Sequence, residues 1–138
     1  LKGISKQGTF SPHSSTKQRV SAVAYPSELA SGRLPENACV TGGDDGAVVL
    51  FDISEGTTLG HSEAAHKGGV FDLDIHPTRC GFFLSAGGDG TAKLWQCGDG
   101  DLTSVGEYRP FSDTLWGSCF HPSGDVILSV GNDGAWSL

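Results

Sequence analysis

Apolar and polar residues alternate along several short stretches of the chain. In Val70-Phe71-Asp72-Leu73-Asp74-Ile75, Leu73 and Ile75 fall on one face and Asp72 and Asp74 on the other. That two-residue period belongs to a half-buried strand. No stretch holds a helical period over ten residues, so the chain reads as all-β. Strands are predicted over 19–25, 37–42, 47–52 and, weakly, 56–60. A second set covers 69–75, 81–86, 91–96 and 102–108, and a third covers 114–120 and 125–130 with a start near 135. Residues 27–36 are expected to form an expanded hairpin loop, and the polar stretch 11–18 a connection.

The breaks between strands repeat. Three segments end alike: Thr41-Gly42-Gly43-Asp44-Asp45-Gly46, Ser85-Ala86-Gly87-Gly88-Asp89-Gly90 and Ser129-Val130-Gly131-Asn132-Asp133-Gly134. Their Asp-Gly pairs begin at 45, 89 and 133, a period of 44 residues. His76-Pro77 and His121-Pro122, 45 apart, give a second landmark. Asp-Gly between apolar runs predicts a tight hairpin with positive φ at its central residues. Proline after histidine ends a strand, because it cannot continue a ladder. A fixed period of this size is the signature of a repeat architecture.

These turns and offsets resemble the WD-repeat family of β-propellers over residues 16–138. The resemblance implies a partial propeller of about three four-stranded antiparallel blades. Residues 1–18 would be a basic, polar lead-in or the remnant of a preceding blade. Residues 19–62 would form the first blade, 63–108 the second and 109–138 a truncated third. The family often ties a blade with a buried His, Ser or Thr, Asp and Trp. The second unit matches at His66, Ser85, Asp89 and Trp95. The first keeps Thr41 and Asp45, with Phe51 at the Trp place and Thr16 near the His place. The third keeps Ser129 and Asp133, with Phe111 at the His place; its Trp place would be position 139, beyond this sequence. Only the second blade is therefore expected to carry the full network. His66, Ser85 and Asp89 also have the composition of a hydrolytic triad. The resemblance instead places them inside the blade.

Three units cannot close a ring of this kind. The chain is accordingly expected to be a segment of a longer propeller or to be completed by another polypeptide. Both outer blade faces are then expected to be exposed, a pairing hazard for apolar sheet surface.

Glycine, at 21 of 138 residues, is twice as frequent as usual. No run of 18 apolar residues occurs, so no membrane-spanning helix is predicted. No cationic stretch followed by an apolar run opens the sequence, so no secretory signal is expected. The net charge of -7 is uneven: residues 1–27 hold four bases and no acid, whereas 28–138 hold five bases and 16 acids. So acidic a body repels phosphate backbones, and direct nucleic-acid binding is not expected. Cys39, Cys80, Cys97 and Cys119 form no C-x-x-C pair, which argues against a zinc ribbon and fits a reducing, intracellular setting in cytoplasm or nucleus.

Little else in the chain carries chemistry. No phosphate-binding G-x-x-x-x-G-K motif occurs. Gly98-Asp99-Gly100-Asp101 lacks calcium-loop spacing and reads as a turn. His61 and His66, five apart on a loop, are not expected to hold a metal, and His13 has no evident partner in sequence. No catalytic residue, cofactor or metal is assigned.

The resemblance implies recognition of proteins or peptides through the channel-side top face, with Phe71, Asp72 and Trp116 as candidate contacts. Asp72 would meet a basic group and the two rings its aliphatic stem. The alternative is that Phe71 and Trp116 pack between blades while Asp72 bonds a neighbouring backbone. The leading reading is a non-catalytic scaffold. The rivals are an architectural subunit completed by another chain, as in a nuclear pore or coat assembly, and a catalytic propeller. Leu115-Trp116, His121-Pro122, Asn132-Asp133-Gly134 and Trp136 resemble, more narrowly, the closing repeats of WD-repeat nucleoporins.

Overall fold

The computed structural model describes His13 and residues 19–25, 37–98, 100–134 and 136–137. Thr16, the predicted loop at 27–36 and the rest of the 1–18 lead-in lie outside these residues. Every described regular element is a strand. The first sheet, blade A, comprises β1 (Val20–Ala24), β2 (Ala38–Gly43), β3 (Val48–Asp52) and β4 (Thr57–Ser62). Blade B comprises β5 (Val70–Ile75), β6 (Phe82–Gly87), β7 (Ala92–Cys97) and β8 (Leu102–Tyr108). Blade C comprises β9 (Leu115–Phe120), β10 (Ile127–Gly131) and the two-residue β11 (Trp136–Ser137). In each sheet the strands pair antiparallel in chain order. The strands lie within about two residues of their predicted places, because Gly and Pro punctuate both ends.

The Asp-Gly corners are three-residue loops. In blade A, Gly46 N–H donates to Gly43 O at 3.0 Å and Gly43 N–H to Ala47 O at 3.1 Å. Blade B repeats this with Gly90 to Gly87 and Gly87 to Thr91, both 3.1 Å. The positive φ falls on the glycine, at +78° for Gly46, +76° for Gly90 and +72° for Gly134. This is a type I turn closed by a left-handed glycine. These glycines also seat the next blade: a Cβ on Gly46 would overlap the carbonyl of His66, and one on Gly90 the carbonyl of Asp113.

The sheets stack face to face. Val40, Val48 and Leu50 of blade A meet Val70, Leu73, Phe83 and Trp95 of blade B in one core. On the opposite face of blade B, Leu84, Ala86 and Ala92 meet Phe111 and Leu115 of blade C. A sheet covered on both sides loses its polar alternation, and β6 is buried almost throughout.

The outer faces differ, which corrects the expectation that both are exposed. In blade A, Cys39, Thr41, Val49 and Phe51 point away from blade B and are nevertheless buried. In blade C, Ser129 faces blade B and is buried, whereas Leu128 is 39% and Val130 46% exposed.

Candidate functional site

The buried network of blade B follows from strand register. Phe83 pairs with Trp95 and Ser85 with Lys93, so Ser85 and Trp95 share one face. His66, in the loop before β5, enters that face from above. Trp95 Nε1–H donates to Ser85 Oγ at 2.8 Å, and the Ser85 hydroxyl lies 2.6 Å from His66 Nε2. His66 Nδ1 is 3.0 Å from Asp89 Oδ1. A single proton order satisfies the chain: indole to serine, serine to Nε2, Nδ1–H to carboxylate. Asp89 also accepts from Thr91 Oγ1 at 2.6 Å and from Lys67 N–H at 3.0 Å. Burial lowers the His66 imidazole, so it is neutral, although Asp89 pulls the other way. Burial alone would raise the Asp89 carboxyl, but donors from Thr91, His66 and Lys67 outweigh it and hold it well below the usual carboxylate range.

This array has the connectivity of a Ser-His-Asp triad and none of its access. Ser85 is 0% exposed, and its oxygen already accepts the indole N–H. A serine closed in this way cannot meet a substrate. Its work is to satisfy buried polar groups.

Blade A carries three-quarters of the same network, through a residue that sequence reading left without a role. His13, not Thr16, occupies the His place. Its Nδ1 lies 3.1 Å from both Asp45 oxygens and its Nε2 3.1 Å from Thr41 Oγ1. Three equivalent glycines prove the register. A Cβ on Gly43 would lie 2.7 Å from His13 Nδ1, one on Gly87 would overlap the His66 ring, and one on Gly131 would press on the Phe111 ring. Each glycine is flattened against the residue that tops its blade: His, His, Phe.

In blade C, Phe111 is buried and offers no donor. Ser129 Oγ pairs instead with Ser118 Oγ at 2.7 Å. Asp133 is left to the surface and accepts from Ser112.

The residues singled out for recognition lie where blades B and C meet. The rings of Phe71 and Trp116 are 4.9 Å apart, tilted by 38°. Phe71 is half-buried, while Trp116 remains 53% exposed. A Cβ on Gly69 would lie 3.4 Å from Asp44 Cα and 3.6 Å from Phe71 Cε1, so the Asp44 turn borders the ring. Asp44 accepts from Arg19 Nε at 2.8 Å.

Asp72 sits lower. Its Oδ1 accepts Leu73 N–H and its Oδ2 accepts Ser118 N–H, both at 3.0 Å. Burial raises its pKa, against the pull of these two donors. Two residues on, Asp74 Oδ2 accepts Phe120 N–H at 2.7 Å. The polar face of β5 thus supplies carboxylates to the backbone of β9, the innermost strand of the next blade. Edge-strand N–H groups need acceptors, and the neighbouring blade provides them.

The strand-exit histidines also cap turns. His76 Nδ1 accepts Thr78 and Arg79 N–H at 3.2 and 3.0 Å, and His121 Nδ1 accepts Ser123 N–H at 3.2 Å. His61 faces Glu63 at 3.9 Å and does not join His66. No cluster of three potential metal ligands occurs among the described residues.

Comparison with known proteins agrees with this architecture. Residues 57–96 match the family model for the WD domain, G-beta repeat. The match runs from β4 of blade A through β7 of blade B, so one sequence repeat contributes the outermost strand of one blade and three strands of the next. The fold is a partial WD-repeat β-propeller of three adjacent blades.

Among curated relatives, the chain is 27% identical over 96 residues to cilia- and flagella-associated protein 52 of Mus musculus, covering 70% of this chain and 15% of that protein. It is 30% identical over 119 residues to pre-mRNA-processing factor 19 of Bos taurus, covering 85% of this chain and 23% of that protein. It is 29% identical over 116 residues to denticleless protein homolog of Danio rerio, covering 80% and 17%. The chain therefore spans less than a quarter of the length of these relatives. A crystal structure of the mitotic checkpoint complex contains a chain of the same fold, with a TM-score of 0.70 and 20% identity over 83% of this chain and 34% of that one. None of these relatives is a nucleoporin, and the lean toward nucleoporins has no support.

Proposed function

We propose that this segment is a non-catalytic interaction scaffold whose top face takes a peptide or subunit bearing a basic side chain. The observation that carries the reading is Trp116: a large indole more than half exposed and propped by the Phe71 ring where blades B and C meet. Exposed aromatic anchors over a rigid base are where binding energy concentrates. A Lys or Arg stem would lie on the two rings. Asp72, whose Oδ2 holds the Ser118 N–H of the strand that presents Trp116, adds negative charge from beneath. No reaction, cofactor or metal is assigned. An intracellular setting fits the four free cysteines.

The test is fluorescence-anisotropy titration with a library of Lys- and Arg-bearing peptides. Trp116→Ala should weaken the best binder at least tenfold and leave the thermal midpoint within about 2 °C of the parent, since an exposed side chain contributes little to stability. Unchanged affinity in Trp116→Ala would refute the reading.

A second reading has its own observation. The outer face of blade C presents Leu128, Val130 and Cys119 in a row. This suits an architectural role in which a further sheet, from the same or another polypeptide, covers that face. Leu128→Glu with Val130→Glu should then abolish assembly in size-exclusion chromatography of the complete complex. Assembly that survives the double substitution rejects this role.

A further inference from the structure

Blades A and B hold the carboxylate of their Asp-Gly turn with an imidazole, but blade C cannot. Phe111 stands in the His place, packed on Gly131. The donor comes from the following residue. Ser112 gives its N–H at 3.3 Å and its hydroxyl at 3.2 Å to Asp133 Oδ2. Beside it, Asn132 Nδ2 donates to Asp113 Oδ2 at 2.8 Å and Asn132 N–H to Thr114 O at 2.9 Å. Loop 111–114 and turn 132–134 are thus latched at the surface. Ser112, Asp113, Asn132 and Asp133 are all exposed. Arg109 lies three residues before Ser112, also exposed, with its Nη1 on the carbonyl of Asp89 at 2.7 Å.

We propose that Ser112 is a phosphorylation site for an arginine-directed Ser/Thr kinase, and that its modification opens the latch of blade C. Ser112 Oγ attacks the γ-phosphorus of ATP. The new P–O bond forms as the bond to the β–γ bridging oxygen breaks. The hydroxyl proton leaves to the kinase's base, and ADP departs.

The product bears about two negative charges and no O–H donor. It would stand within hydrogen-bond distance of the Asp133 carboxylate and next to Asp113, both of which only accept. The nearest cation in sequence, Arg109, is anchored on the neighbouring turn. Repulsion replaces a donated bond, and the turn must swing away. In blade B the buried His66 imidazole holds the same turn, and the residue that follows it is Lys67, which carries no hydroxyl.

The experiment incubates the purified protein with an arginine-directed kinase and MgATP, maps the phosphate by mass spectrometry and follows hydrogen exchange at Asn132. One phosphate on Ser112 is expected, absent in Ser112→Ala and at least tenfold slower to appear in Arg109→Ala. The Asn132 amide, held by the Thr114 carbonyl, should exchange at least tenfold faster in the modified protein. No phosphate on Ser112 would overturn the assignment of the site. Unchanged incorporation in Arg109→Ala would overturn the kinase class. A phosphorylated protein with unaltered Asn132 exchange would overturn the opening of the latch.

Discussion

Trp95→Ala is expected to destabilise the fold by about 3–5 kcal/mol, the range for removing a large buried aromatic. Trp95 is buried between blades A and B and stacks on Phe83 with ring centroids 6.1 Å apart. Alanine removes that surface, leaves a cavity where two sheets meet, and strips Ser85 of its indole donor. Trp95→Phe separates these effects. Phenylalanine stands at the equivalent place in blade A, as Phe51, buried on the same sheet face as Thr41. It keeps most of the ring and loses the N–H, so a cost of about 1–2 kcal/mol is expected. Urea unfolding of the three proteins checks the order. Equal losses in the two variants would show that the indole hydrogen bond, rather than ring burial, dominates.

The glycines and aspartates of the corners made the fold legible, because few residues tolerate a left-handed φ beside a neighbouring backbone. The resemblance to the WD-repeat family then grouped His66, Ser85, Asp89 and Trp95 without any coordinates. His13 escaped for a countable reason. It lies 32 positions before Asp45, whereas His66 lies 23 before Asp89. Nine extra residues separate the partners in blade A, and Thr16, 29 positions before Asp45, allows for only six of them. The Asp72–Ser118 and Asp74–Phe120 bonds were only half legible. Alternation marks a polar face on β5. Nothing in one strand's pattern says that this face meets the N–H edge of another sheet 46 residues away. The burial of blade A's outer face is likewise a property of packing, which strand periodicity does not encode.

His66→Ala is the second substitution with a large expected effect, and pH distinguishes it from a simple packing loss. At pH 7 it leaves the Ser85 hydroxyl without its acceptor and Asp89 without one donor. The cost is about 1–3 kcal/mol for each group left unpaired. In the parent, burial keeps the His66 imidazole neutral below its ordinary pKa. As pH falls through about 6.5 the unfolded chain takes up a proton that the folded chain refuses, so stability drops. His76, whose pKa is also lowered by burial, adds to the same fall. Asp89 acts further down. Its folded pKa is depressed, so its contribution is present above the unfolded value near 3.9 and is lost below it. The parent should therefore lose stability in two acid steps, one below about pH 6.5 and one below about pH 4. In His66→Ala the first step should shrink to the share of His76 while the protein starts from a lower value at pH 7. Thermal midpoints measured from pH 7.5 to 4.5 report both changes. Parallel curves for parent and variant would mean that His66 takes up its proton equally in the folded and unfolded chain, and the claim that burial keeps it neutral in the fold would fail.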